Sequence, residues 1–425
     1  MRVLRNILTA ILLIPSFCLF AQEKQESFSM SAQLRSRGEY RNGALFPRTE
    51  GESPATFIND RVRLSMDYKR PNLELKLSGQ HVGVWGQDPQ IDKNGRFMLN
   101  EAWGKISYND FYIQIGRQAL SYDDDRILGS LDWNTSGRFH DALKAGYSKD
   151  LNSVDLILAF NQNDEKIKGG TYYAPGGQPY KSMQTVWYHY GNNTVPFNIS
   201  LLAMNLGWQL GDEDNSSNGF MQTLGTYMTY KKERWNINGS FYYQTGKSNQ
   251  DVSVSAYMGS LSASVKLNPK WSVGAGSDYL SGNSHDSNKV KAFNPLYGTH
   301  HKFYGTMDYF YASAFINNQN SGLWDNHLNV SMKASNKVDA SLTYHYFRTS
   351  KDVYFENEKY NKSLGSEFDF QINWSVMPDV KLIAGYSVMF GSRTMDIVKG
   401  GDHKSWQDWG WISINITPKL FSTAK

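Results

Sequence analysis

The chain has 425 residues, with 44 Lys+Arg against 40 Asp+Glu, one Cys, 36 Gly and an aromatic content of 14%. A single cysteine excludes a disulfide framework, and the high aromatic content excludes a disordered chain. Beyond residue 21 no apolar run reaches the ~20 residues that a membrane-spanning helix needs, so a helical membrane protein is excluded as well.

The N-terminus has the pattern of a secretory signal. Arg2 and Arg5 supply the positive start, a short apolar core follows, and residues 1–21 end in a small residue suited to cleavage. The pattern predicts a cleaved signal peptide over 1–21 and one mature domain over 22–425. The alternatives are a retained anchor, which the short apolar stretch disfavours, and lipidation at Cys18, whose preceding residues fit that modification poorly.

From residue 28 onward apolar and polar side chains alternate. The alternation is clear in 28–41 and recurs at 61–69, 73–78 and 412–417. A period of two is typical of strands, because successive side chains point to opposite faces. No long stretch has the 3.6-residue apolar spacing of an amphipathic helix, so the sequence predicts an all-β chain.

The connections between the predicted strands are short and long in turn. Short turns lie around residues 70, 109, 150, 193, 233, 269, 336 and 378. Between them are longer polar segments, at 43–55, 87–96, 119–137, 163–183, 211–219, 248–252, 283–323, 351–363 and 393–405. This order predicts a closed antiparallel transmembrane β-barrel of about 18 strands, with short periplasmic turns and long extracellular loops, in the outer membrane of a Gram-negative bacterium. The strands of a soluble sandwich or propeller also alternate apolar and polar side chains. Such a fold does not, however, require short and long connections in strict turn after a signal peptide.

Aromatic residues recur where the predicted strands end. Membrane interfaces favour such rings, so the positions predict two aromatic girdles. Packing under loops is the alternative for a few of these rings, and no single ring is assigned to a girdle. The tryptophans at strand ends are Trp187, Trp208, Trp235, Trp271, Trp324, Trp406, Trp409 and Trp411.

Arginines are concentrated in the first third of the chain, where eleven occur between Arg35 and Arg138. The predicted pore-lining and anion-binding residues are Arg35, Arg37, Arg41, Arg61, Arg63, Arg117 and Arg126, and the predicted charge partners are Glu39, Asp67, Glu101 and Asp125. Two interpretations stay open for each residue. The guanidiniums guide anions through the lumen, or the charges only brace the barrel wall.

Two clusters raise the question of an enzyme or a metal site. The side chains of His300 and His301 point to opposite faces of a strand, which makes them a poor metal pair. The acidic run 123–125 lies outside any calcium-binding loop of the usual spacing, and no G-x-S-x-G motif is present. We therefore expect no enzyme activity, no catalytic residues, no metal and no cofactor.

Two segments carry a family resemblance, LNEAWGKISYNDFYIQIGRQALSYDDDRILGSLDWNTSGRFHDAL at 99–143 and FNPLYGTHHKFYGTMDYFY at 293–311. Together with the arginine-rich alternation before them, they resemble the alginate export family of outer-membrane barrels. The resemblance implies a monomeric eighteen-stranded barrel whose arginine-lined constriction passes an anionic polysaccharide. In the best-known member a long periplasmic turn before the last two strands plugs the pore. Here the turn is only Met377-Pro378-Asp379, which favours an open channel or one gated from the loop side.

The expected function is a porin-like outer-membrane channel for anionic solutes, such as an anionic oligosaccharide or polysaccharide like alginate. Its expected partners are that solute and outer-membrane lipids, without nucleic acid. The longest loop, 283–323, is the candidate gate. The alternatives are a surface receptor or adhesin with a closed lumen and, less favoured, an outer-membrane enzyme.

Overall fold

The computed structural model of the chain describes residues 26–90, 97–174, 176–284, 287–316 and 320–423. The predicted signal peptide, 1–21, lies outside the described residues, as does part of the loop predicted at 87–96.

The described chain forms a closed barrel of 18 antiparallel strands. The strands are β1 (Ser27–Asn42), β2 (Ala55–Arg70), β3 (Leu73–Val84), β4 (Phe97–Tyr108), β5 (Phe111–Gln118), β6 (His140–Lys149), β7 (Asn152–Phe160), β8 (Ser182–Tyr190), β9 (Phe197–Leu210), β10 (Ser217–Lys232), β11 (Trp235–Lys247), β12 (Ser253–Lys266), β13 (Trp271–Leu280), β14 (Leu323–Lys333), β15 (Val338–Arg348), β16 (Ser363–Met377), β17 (Val380–Gly391) and β18, which consists of Gln407–Ile416 and Lys419–Ser422. Strand β1 pairs with β2 on one side and with both segments of β18 on the other, which closes the sheet. The predicted fold class and strand number are confirmed.

Short and long connections alternate around most of the barrel as the sequence predicts, except near β8–β12, where the connections 191–196, 211–216 and 248–252 are similar in length. The turn between β16 and β17 is only 378–379, and the turns after β4 and β6 are 109–110 and 150–151. Asn109, Asp150 and Asp379 have φ angles of 52°, 54° and 63°. These left-handed residues let two antiparallel strands connect directly.

The outer face of the barrel is apolar and the inner face polar, as the alternation predicts. In β5, Ile113 and Ile115 are 54% and 60% exposed, whereas Gln114 between them is 8% exposed. No helix among the described residues has the length and apolar character to span a membrane. The helical segments are a 3-10 turn, His300–Lys302, and one short helix, α1 (Arg393–Lys399).

Three loops position the candidate site, and we call them L3 (119–139), L7 (281–322) and L9 (392–406). L7 folds inward, because Phe293, Tyr304, Tyr309 and Phe310 are at most 1% exposed. The hydroxyl of Tyr309 donates a hydrogen bond to Gln407 Oε1 of β18 at 2.6 Å. The predicted candidate gate is therefore packed against the inside of the barrel wall.

Four of the tryptophans at strand ends follow the alternative of packing under loops and do not belong to a girdle. Trp208, Trp409 and Trp411 are 8%, 1% and 8% exposed, and Trp187 donates its indole N–H to Asp123 of L3 at 3.1 Å. These rings have the inward parity of their strands and pack beneath the loops, where they stay out of contact with lipid. Position at a strand end does not reveal which face of the sheet a ring occupies.

Candidate functional site

Five arginines lie on the inner face of β1 and β2, and we call them the arginine cluster: Arg35, Arg37, Arg41, Arg61 and Arg63. Arg35 and Arg61 are direct cross-strand neighbours. Like charges at such positions repel, so the cluster requires acceptors from elsewhere in the molecule.

L3 supplies those acceptors from its backbone. Arg35 donates to the carbonyl oxygens of Asp132 at 2.6 Å and Asn134 at 3.0 Å, and Arg37 donates to that of Trp133 at 3.1 Å. Arg35, Arg37 and Arg61 are only 7%, 4% and 0% exposed. The guanidiniums therefore hold L3 inside the barrel, and the loop accepts hydrogen bonds from part of their N–H groups, whereas Arg35 Nε and Arg61 Nε have no hydrogen-bond partner among the described residues.

Asp132 brings a carboxylate to the same place. Its oxygens lie 2.8 Å from Arg61 Nη2 and 3.8 Å from nitrogens of both Arg35 and Arg63. The side chain of Asp132 is still 58% exposed. This charge partner was not among the predicted ones, although Asp132 and Trp133 are part of the segment that carries the family resemblance.

Glu39 is the second carboxylate of the cluster and is fully buried. Arg37 Nε and Arg41 Nη2 lie 2.8 Å from its two oxygens. Asn59 Nδ2 donates to it at 2.6 Å and Trp409 Nε1 at 3.2 Å. Four donors from β1, β2 and β18 thus meet at one carboxylate across the seam where the barrel closes.

Trp133 of L3 lies between charged and aromatic groups beside the arginine cluster. The Arg37 guanidinium lies 4.0 Å from its ring centroid, and the His301 ring stacks on it at 3.9 Å with an interplanar angle of 7°. His301 Nδ1 lies 2.9 Å from a carboxylate oxygen of Asp308. L3 and L7 are thus joined beside the arginine cluster.

Two of the predicted arginines lie away from the cluster. Arg126 of L3 reaches Asp278 of β13 at 3.1 Å and Asp124 at 3.0 Å. Burial acts to lower the pKa of Arg126, but Asp278 and Asp124 outweigh it and keep that pKa well above its usual value. Arg117 has the outward parity of Ile113 and Ile115, so its expected pore-lining position is corrected to the outer face.

Three of the predicted charge partners also have other roles. Glu101 lies 3.1 Å from Lys76 Nζ, and Asp125 lies 3.3 Å from Lys302 Nζ of L7. Asp67 lies on the inner face opposite Lys76 in the register and forms no ion pair within the part of the chain that the structure describes. Sequence parity places side chains on a face, but it does not identify their partners.

A second charged region lies on β13–β16, and we call it the acidic sector: Asp278, Asp325, Glu367 and Asp369. These residues are 3%, 0%, 0% and 8% exposed. Met307 N of L7 donates to Glu367 at 2.8 Å and Thr306 Oγ1 donates to Asp369 at 2.5 Å. Asp278, Asp325 and Asp369 line a cavity of about 570 Å³ inside the barrel. The lumen therefore has a basic wall and an acidic wall in different strands.

Lys399 of L9 forms hydrogen bonds with L7, and the strength of that contact depends on pH. Its amine donates to the Ser313 carbonyl oxygen at 3.1 Å and to Ser313 Oγ at 2.8 Å, and burial lowers its pKa to about 7. Between pH 7 and about 10 the docked loop holds fewer protons than the undocked loop, so docking strengthens as pH rises and is constant below pH 7.

We expect L9 to be cleaved by proteinase K more slowly at pH 9 than at pH 7 in the detergent-solubilised protein. The Lys399→Met variant should show only the pH dependence of the protease itself. Equal pH ratios for the two proteins would contradict this prediction.

Comparison with known proteins places these features in a family. The sequence model of the family described as "Alginate export" matches residues 27–394. A comparison with curated protein sequences found no match.

Solved outer-membrane proteins share the fold. OccAB4 of Acinetobacter baumannii has a TM-score of 0.63 at 12% identity, covering 94% of this chain and 99% of that one. OccK9 (OpdG) of Pseudomonas aeruginosa has a TM-score of 0.64 at 11% identity, covering 92% and 98%. OpdK of Pseudomonas aeruginosa, solved with vanillate, has a TM-score of 0.62 at 8% identity, covering 92% and 99%.

Proposed function

Because the chain belongs to the alginate export family of outer-membrane barrels, we propose that this outer-membrane channel passes anionic solutes along its arginine cluster. The observation that carries the proposal is the set of five guanidiniums on the inner face of β1 and β2, directly facing L3. The proposed mature protein is a monomeric barrel over 22–425.

The chemistry of the cluster suits carboxylates. A guanidinium presents its donors in a fork that matches a carboxylate, and the Asp132 carboxylate already lies among three of these guanidiniums, at 2.8 Å from Arg61 and 3.8 Å from Arg35 and Arg63. Arg41 and Arg63 keep 26% and 17% of their side chains accessible, so they are the members that meet a solute first. A solute carboxylate that passes the cluster replaces its hydrogen bonds to water with hydrogen bonds from these guanidiniums.

Two further observations support a sugar acid as the solute. The partly exposed Trp133 lies beside the cluster, and aromatic faces beside polar groups suit sugar rings. The family name refers to alginate, an anionic polysaccharide, and one structural neighbour was solved with vanillate, a small carboxylate. We therefore propose uronate oligosaccharides or polysaccharides as the solute class.

The packing of L7 favours a second candidate function, a surface receptor with a closed lumen. L7 buries Tyr304, Tyr309 and Phe310 inside the barrel, and it forms a backbone pair with L3 between Leu128 and Tyr297. Planar-bilayer recording separates the two functions, because a channel gives steady ion current whereas a closed receptor gives little.

The test of anion passage is the double variant Arg41→Gln with Arg63→Gln. We expect its preference for chloride over potassium to fall at least about twofold, because two of the accessible positive charges leave the lumen. Reversal potentials in asymmetric KCl measure that preference. The matched control is Arg117→Gln, which removes a guanidinium from the outer face and should leave the reversal potential unchanged.

An unchanged reversal potential in the double variant would show that the arginines only brace the wall. Absence of current from the unmodified protein would instead favour the closed receptor.

A further inference from the structure

Two histidines and an aspartate converge on the inner wall at the acidic sector. Asp325 and His327 alternate on β14, and His345 of β15 is the direct cross-strand neighbour of His327. One ligand atom from each residue lies within 4.8 Å of the others. We propose that Asp325, His327 and His345 form a binding site for a divalent transition metal ion such as Zn²⁺.

The separation of His327 from Asp325 suits a shared ion, whereas His345 and Asp325 are joined by a hydrogen bond that an ion would replace. His345 Nδ1 lies 2.9 Å from the Asp325 carboxylate, and His327 Nδ1 lies 3.7 Å from it. Ligand atoms that share a tetrahedral Zn²⁺ with bonds of about 2.0–2.1 Å lie roughly 3.4 Å apart. The 3.7 Å contact is too long for a hydrogen bond but close to the separation of two ligands.

His327 has a nitrogen that needs a partner. Its Nδ1 is buried and has no hydrogen-bond partner. Its ring lies over Gly276, where an added Cβ would come within 2.3 Å of Nε2. The glycine therefore gives the ring room in a position that turns Nδ1 toward Asp325. An unpaired buried nitrogen costs free energy, and a bound cation would remove that cost.

A carboxylate behind His345 completes the arrangement. His345 Nε2 lies 3.5 Å from Asp369 Oδ2, and a metal-bound histidine typically donates its second N–H to a carboxylate. Asp325, His327, His345 and Asp369 all line the 570 Å³ cavity, so an ion and its water ligands can enter from the lumen.

The local charge also favours a cation. The guanidinium of Arg126 pairs with Asp278, but no Lys or Arg of the described chain forms an ion pair with Asp325, Glu367 or Asp369. Buried carboxylates require compensating charge. Imidazole and carboxylate ligands together suit Zn²⁺, Co²⁺, Ni²⁺ and Cu²⁺ rather than Ca²⁺ or Mg²⁺.

The test is calorimetric titration of the full-length protein, folded in detergent and free of a polyhistidine tag, with Zn²⁺ at pH 7.5. We expect one strong site, with an affinity that falls at least about tenfold in His327→Gln. Gly276→Ala should weaken binding as well, although it removes no ligand, because it displaces the His327 ring.

His403→Gln is the matched control. His403 belongs to an outer group with Asp396 and Asp402, and its loss should leave the strong site intact. In the unmodified protein, Co²⁺ should produce visible d–d absorption that His327→Gln abolishes. The retention of a folded, heat-modifiable band by each variant confirms that the barrel is intact.

Three results would overturn the proposal. The first is the absence of detectable Zn²⁺ binding to the unmodified protein in the calorimeter. The second is an unchanged affinity in His327→Gln, and the third is loss of the strong site in His403→Gln. The outcome is independent of anion selectivity, so failure of either proposal leaves the other standing.

Discussion

Replacing Glu39 with alanine is expected to destabilise the barrel by about 3–5 kcal/mol, the usual cost of removing one partner from a buried ion pair. Glu39 accepts from Arg37, Arg41, Asn59 and Trp409. The substitution leaves Arg37, itself 4% exposed, without its carboxylate. It also removes the acceptor that joins β1, β2 and β18 at the seam.

Guanidinium chloride unfolding in detergent micelles, followed by tryptophan fluorescence, measures this change. The matched control is Glu74→Ala, because Glu74 also lies between two cations, Lys105 at 3.5 Å and Lys69 at 3.8 Å. The side chain of Glu74 is 29% exposed, so its loss should cost only about 0–1 kcal/mol. Equal costs for the two variants would show that the buried position of Glu39 is unimportant.

The second large effect is expected for Asp132→Asn. The amide keeps the shape of the side chain but removes the only charge that L3 places between Arg35, Arg61 and Arg63. If Asp132 occupies the position of a solute carboxylate, its neutralisation leaves the positive charge of those guanidiniums without its carboxylate and so available to a solute. A charge-assisted hydrogen bond contributes about 1.5–3 kcal/mol, which corresponds to about tenfold or more in affinity.

We therefore expect that in Asp132→Asn the glucuronate concentration that halves the chloride current falls about tenfold. We also expect the preference of the channel for chloride over potassium to rise. Asp141→Asn is the matched control. Asp141 binds Arg117 at 2.9 and 3.0 Å on the outer face of the barrel, and its loss removes the same charge without changing the lumen. A block by glucuronate that is equally strong in Asp132→Asn and the unmodified protein would refute the idea that Asp132 mimics a solute.

The barrel itself could be predicted from the sequence because its signals are local. Alternation in 28–41 or 412–417 and the short turns around residues 109 and 378 each depend on a few neighbouring residues. The inward parity of Arg35 and Arg61 follows from the same alternation, and the structure places both on the inner face.

The partners of those arginines could not be predicted, because they come from loops. Asp132 reaches Arg61 only because L3 folds into the barrel, and no periodic pattern indicates where a loop goes. The geometry of the proposed metal site is hidden for a related reason. His327 and His345 meet through strand register, whereas the adjacent pair His300 and His301, which stands out in the sequence, is divided between different partners.

The seam between β1 and β18 also has a consequence for the order of assembly. The bond from Trp409 to Glu39 joins residues 370 positions apart, and Phe28 N donates to Thr423 Oγ1 across 395 positions. Contacts between such distant residues carry a large loop-closure entropy and form slowly. Glu39 therefore acquires its full set of donors only when the last strand docks on the first, and in a nascent chain that lacks β18 this buried carboxylate is without the Trp409 donor.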